Sequence, residues 1–69
     1  MELRKYEGKK VKIISQSGKT YEGIVGDYCY PEDDENNKEM IVVDVEKGSH
    51  EGKAVGLYET DIESIEIIE

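Results

Sequence analysis

The sequence predicts an all-β domain, and composition is the first reason. The apolar residues include eight isoleucines and six valines, against two leucines and one alanine. Branched side chains pack well on a pleated sheet and lose rotamer freedom in a helix. The seven glycines are scattered singly, as turns and bulges require. With 69 residues the chain is long enough for one domain, which we place at residues 1–69.

The order of apolar and turn-forming residues predicts five strands. Val11 and Ile13 share one face of the first strand, and Gly23 and Gly26 inside the second predict a sharp bend or bulge. Residues 3–6 form either one short helical turn or an entry strand. The predicted strands are residues 10–15, 20–28, 40–45, 53–58 and 62–68. Five short antiparallel strands with a strongly bent second strand predict a small SH3-like barrel.

Residues 29–39, CYPEDDENNKE, are predicted to form a long exposed loop. Pro31 and the acidic and amide residues that follow it are incompatible with the interior of a strand. The carboxylates lack the alternating ligands and the central glycine of an EF-hand. We therefore interpret the acidic run as a solvated loop and expect no metal site.

The segment GKKVKIISQSGKTYEG, residues 8–23, contains a Gly-Lys-Thr sequence like the end of a phosphate-binding loop. Such a loop needs a glycine five residues before the Gly-Lys pair and a helix after it. Ile13 occupies that position and a predicted strand follows Thr20. Gln16 to Lys19 are therefore predicted to be a hairpin connection.

Charge is distributed unevenly along the chain. Residues 1–20 carry a net charge of +4 and residues 21–69 carry −12, for a formal total of −8. The basic residues of the first part are Arg4, Lys5, Lys9, Lys10, Lys12 and Lys19. They favour two alternatives: a site for a polyanion such as RNA, or side chains that face solvent or a neighbouring subunit. Alternate residues of a strand point to opposite faces, so the six need not form one patch.

Catalytic and cofactor chemistry is not expected. Cys29 and His50 are far apart in the sequence and have no neighbouring partner for nucleophilic catalysis, so we predict no enzyme activity and no cofactor. The single cysteine is typical of a reducing compartment, and the N-terminal residues lack the apolar region of a signal peptide. No apolar run has membrane length. We expect a cytoplasmic location without membrane association.

The order of motifs resembles the Sm/LSm family, in particular the small Sm-like proteins of Gram-positive bacteria. The resemblance rests on L-x-x-Y-x-G-K-x-V-x-I, S-G-K-x-Y-x-G-x-V, M-I-V-V and L-Y-E-T-D-I-x-S-I, which together cover nearly the whole chain. It implies a short N-terminal helix, five bent strands and a homo-oligomeric ring. In such a ring strand four of one subunit pairs with strand five of the next, which uses both open edges of the sheet.

The residues that this resemblance places at the ring contact lie in the last two strands. They are Val55, Leu57, Tyr58, Ile62, Ile65 and Ile67.

Weak binding of single-stranded RNA is a further implication of the resemblance. Tyr28, Asn36, Asn37 and Tyr58 would contact bases, and Lys9, Lys10 and Lys12 would contact phosphates. The chain departs from the family pattern because the family's first-motif aspartate falls at Cys29 and its Arg-Gly pair at Tyr58-Glu59. The alternative is an acidic module of the SH3-like adaptor type that binds an unknown protein partner and no nucleic acid.

Overall fold

The fold is an antiparallel sheet with short helical turns at its connections. In the computed structural model, which describes residues 2–33, 35 and 37–68, the strands are β1 (Lys10–Ser15), β2 (Thr20–Cys29), β3 (Met40–Gly48), β4 (Ala54–Tyr58) and β5 (Ile62–Ile67). Single 3₁₀ turns span Arg4–Tyr6, Pro31–Asp33 and Glu59–Asp61. The predicted all-β class and the N-terminal helical turn are confirmed. No helix in this described part of the chain has the length and apolar character needed to cross a membrane.

The strand boundaries follow the prediction closely, with one clear difference. β3 continues past the expected end at Val45 to Gly48, because Lys47 and Gly48 still pair with Glu22 and Tyr21 of β2. Ser49 extends this alignment by donating its N–H to the carbonyl of Thr20 at 2.9 Å. The connection between β3 and β4 is therefore shorter than expected.

The five strands form one sheet in the order β4-β3-β2-β1-β5. The first four strands pair with their neighbours in sequence, while β5 returns to pair with β1. In that last pairing Val11 lies opposite Ile67, and Ile13 lies opposite Ile65. This order makes β4 and β5 the two edge strands.

One face of the sheet carries the hydrophobic core. Burial alternates along β1, β2 and β3, so every second side chain points to this inner face. Leu3 adds a fully buried side chain from the N-terminal segment. The remaining core residues are Val11, Ile13, Tyr21, Val25, Tyr28, Ile41, Val43, Val45, Leu57 and Ile62. The opposite face of the sheet is called the outer face below.

The predicted irregularity in β2 is confirmed at Gly26, which is the extra residue of a bulge in β2, whereas at Gly23 the extra residue is Glu46 of β3. The pairing with β3 shifts register between Glu22 and Gly23, and again between Val25 and Asp27. Bulges of this kind bend a strand and increase its local twist. β2 can therefore pair along its whole length while its inner residues keep facing one core.

The Gly-Lys-Thr sequence lies in a hairpin turn, as predicted. Gly18 adopts a positive φ of 89°, and the hydroxyl of Ser15 accepts the N–H of Lys19 at 3.1 Å. Thr20 begins β2 directly after the turn. The turn therefore connects two strands and leads into no helix that could hold a phosphate group.

Replacing Gly23 by alanine is expected to destabilise the fold, because a Cβ there would overlap the backbone carbonyl of Asp44 on β3. Two paired backbones must then separate, at an expected cost of about 1–3 kcal/mol, the range for overpacking. Gly56→Ala is the matched control, since its Cβ would meet only the end of the Met40 side chain at 3.4 Å. Urea denaturation measures both variants. Equal midpoints for the two would contradict the close approach of β2 and β3.

Candidate interaction surfaces

The lysines of β1 lie among acidic residues on the outer face. The Nζ atom of Lys10 is 3.3 Å from the Oε1 atom of Glu46, with the two side chains 38% and 49% exposed. An ion pair this exposed contributes little to stability. The carboxylate of Glu46 would also repel a phosphate group that approaches Lys10.

Lys12 has an acidic residue on either side. Its direct partners in the sheet are Glu22 on β2 and Glu66 on β5. Residues directly opposite in antiparallel strands have Cβ atoms about 5 Å apart and share one face. Lys9 is exposed just before β1, and its carbonyl accepts the N–H of Val25 at 3.0 Å. The structure thus places Lys10 and Lys12 on the same face of β1, but each lysine has acidic residues as its neighbours.

Tyr28 lies in the core, whereas the sequence suggested a surface position. It pairs with Ile41, which in turn pairs with Leu57, and all three point to the inner face. Tyr28 is 8% exposed, and its hydroxyl donates a 2.6 Å hydrogen bond to the carboxylate of Glu39. A ring held in this way is not available for stacking on a base.

Glu39 connects three separate parts of the fold. Besides the hydroxyl of Tyr28, its carboxylate accepts the N–H of Leu3 at 3.1 Å. Its backbone carbonyl accepts the N–H of Glu59 at 3.1 Å. The N-terminal turn, the end of β2 and the turn before β5 therefore share one anchor. The sequence analysis did not identify Glu39, because it is the last acidic residue of a loop expected to be solvated. Its position directly before β3 is the only feature of the sequence that distinguishes it from the other acidic residues of that loop.

The hydrogen bond to Glu39 also changes the acidity of Tyr28. The bond, supported by burial and by the negative charge of Glu39, raises the pKa of Tyr28 from 10.0 to about 12. A carboxylate stabilises the protonated phenol and opposes formation of a second negative charge beside it.

The remaining residues of the RNA prediction lie in different settings. Tyr58 ends β4 half-buried, opposite Met40. Asn37 is exposed with a positive φ of 55°, and Asn36 lies outside the described residues. Tyr30 is 44% exposed and packs edge-on against Tyr28 with ring centroids 5.0 Å apart.

The residues expected at a subunit contact divide into two groups. Leu57 and Ile62 are 5% and 3% exposed and belong to the core of the single chain, because alternation points them to the inner face. Val55, Tyr58 and Ile65 are half-buried on the edge strands, and Ile67 is 46% exposed. The second group carries the surface that another chain could contact.

His50 and Cys29 lie in different settings. His50, with a positive φ of 62°, stacks on Tyr21 at a ring-centroid distance of 6.1 Å. Cys29 is half-buried at the end of β2, where it pairs with Met40. Within the described ranges, His, Cys, Asp and Glu side chains form no group of three that could hold a metal ion.

Comparison with protein-family models, with curated proteins and with solved structures found no match to this chain. Two kinds of surface are described above: the edge strands β4 and β5, and the charged outer face of the sheet.

The pKa of Tyr28 makes stability depend on alkaline pH. Below pH 10.0 the phenol is protonated in both the folded and the unfolded chain, so its bond to Glu39 contributes fully. Between pH 10.0 and about 12 the unfolded phenol loses its proton first, and that contribution is lost as pH rises. Urea midpoints measured across this range should therefore fall.

Glu39→Gln is the control, because an uncharged partner lowers the pKa of Tyr28 towards its ordinary value. The variant should start with lower stability and lose less of it over the same pH range. An identical decline in both proteins would show that other groups cause the alkaline loss.

Proposed function

We propose that the chain is an Sm-like binding module that assembles with copies of itself into a closed ring, its sheet curving into a small SH3-like barrel. The sheet order is the observation that carries this proposal, since it places β4 and β5 at opposite edges. No further strand pairs with either edge among the described residues. The motif order of the Sm-like resemblance supports the same arrangement.

Edge strands with free backbone groups are templates for pairing with another chain. β4 of one subunit would pair with β5 of the next, so each subunit would use one edge towards each neighbour. Such a head-to-tail contact uses two different surfaces and gives a ring when its rotation closes.

The side chains of the two edges suit this contact. Val55 on β4 and Ile65 on β5 are half-buried and pack against the core. Ile67 continues the same face of β5 and is 46% exposed. Joining the edges would extend the inner apolar face from one subunit to the next. A domain of this size buries only roughly 60% of the surface of its unfolded chain, so the added burial stabilises it.

Single-stranded RNA is a second candidate ligand of the assembled module. Lys9 is exposed just before β1, and Tyr30 offers an exposed aromatic ring. Bases stack on such rings and phosphates attract lysines. The acidic neighbours of Lys10 and Lys12 reduce this attraction, which supports protein as the main partner class.

The ring proposal is tested by light scattering on a size-exclusion column. We expect a mass of several chains for the native sequence and the mass of one chain for Ile67→Asp, because pairing would bury the new carboxylate without a partner. Ile24→Asp is the matched control: Ile24 is 41% exposed, but it lies on β2 inside the sheet. A single-chain mass for the native protein at all concentrations would refute the ring.

The RNA candidate is tested by fluorescence anisotropy with a labelled single-stranded RNA of mixed sequence. Binding through phosphates should weaken steeply with salt, and Lys9→Ala should reduce the slope of log K against log salt by about 0.7. Lys53→Ala, an exposed lysine before β4, is the control for net charge. Absent or salt-insensitive binding would remove RNA as a candidate.

A further inference from the structure

Ile24 is an exposed apolar side chain in the middle of the sheet. It is 41% exposed on the outer face of β2, the central strand of the five. Its direct partners across the sheet are Lys10 on β1 and Asp44 on β3. Because it lies inside the sheet, pairing of the edge strands would leave it uncovered.

Acidic residues surround Ile24. Glu22 and Asp27 lie on either side of it along β2, and Asp44 and Glu46 lie on β3. The nearest cation is Lys10, which is already paired with Glu46. Lys12 and Lys47 are farther away, on either side of Glu22, so three cations face the four carboxylates of this region. The surroundings of Ile24 therefore carry an excess of negative charge.

Bare backbone lies between two of these carboxylates. A Cβ at Gly26 would be 3.0 Å from the Oδ2 atom of Asp44, so this carboxylate reaches over the glycine. On the other side, the Oδ1 atom of Asp27 accepts the N–H of Tyr28 at 2.9 Å. Val42, which pairs with Asp27, adds a half-buried apolar side chain on the outer face. We call Ile24, Gly26, Asp27, Val42 and Asp44 the Ile24 surface.

We propose that the Ile24 surface docks a segment of a partner protein in which a lysine or arginine neighbours a branched apolar side chain. The cation lies over Gly26 between Asp27 and Asp44, and the apolar side chain covers Ile24 and Val42. Charge complementarity selects this occupant, since phosphates would meet two carboxylates at the same place. The docking goes beyond ring assembly and does not depend on it.

The test uses nuclear magnetic resonance and fluorescence anisotropy with three synthetic peptides. One alternates lysine and valine, one alternates lysine and serine, and one alternates glutamate and valine. Only the lysine-valine peptide should bind, with amide shifts concentrated at the Ile24 surface. Ile24→Ser and Asp44→Asn should each weaken it about tenfold, the effect of losing one central contact.

Matched variants separate docking from general attraction to an acidic protein. Glu51→Gln makes the same change of net charge as Asp44→Asn at an exposed position elsewhere, and Ile68→Ser removes an isoleucine of nearly equal exposure, 40%. Both should keep the native affinity. Equal losses in the matched pairs would overturn the proposal, as would failure of the lysine-valine peptide to bind.

RNA is the competing occupant. Labelled RNA that binds the native protein and loses affinity with Ile24→Ser would assign this surface to nucleic acid and overturn the proposal. The variant Ile67→Asp distinguishes the two proposals of assembly and docking. If the ring proposal is wrong, Ile67→Asp and the native protein have the same mass by light scattering. The lysine-valine peptide should still bind both proteins through the Ile24 surface.

Discussion

The bulged strand β2 sets the arrangement of the whole sheet. It pairs along one side with β1 and along the other with β3, and each of these positions one edge strand. The register shifts at Gly26 of β2 and at Glu46 of β3 let the two strands bend while their inner residues keep facing the core. Tyr21, Val25 and Tyr28 can therefore meet the side chains of the other strands in one core. A straight strand of this length would place its ends too far apart to share that core.

Most of the fold could be predicted from the sequence because its signals are local. Alternating branched side chains predicted the strands, and Gly26 predicted the bulge in β2. The environment of Tyr28 could not be predicted, since it depends on a hydrogen bond to Glu39 at the far end of the connection between β2 and β3. The same holds for Leu57 and Ile62, which the family resemblance places at the ring contact but which belong to the core of the single chain.

The distribution of charge along the sequence differs from its distribution on the folded surface, because strand pairing brings distant segments together. The basic first part and the acidic remainder are separate along the chain, but antiparallel pairing places β1 between β2 and β5. Lys12 then lies between Glu22 and Glu66, and Lys10 binds Glu46. A basic segment of sequence thus becomes part of a mixed surface. Of the two proposed classes of ligand, this mixed surface favours a basic protein partner over nucleic acid.

The return of β5 to β1 has a consequence for how the chain folds. The other strand pairs connect neighbours in sequence, so each can form after closing a short loop. The pairing of β1 with β5 joins the first strand to the last and must close most of the chain. Contacts of such large separation are slow to form. During synthesis on the ribosome, one side of β1 therefore stays open until the residues of β5 emerge.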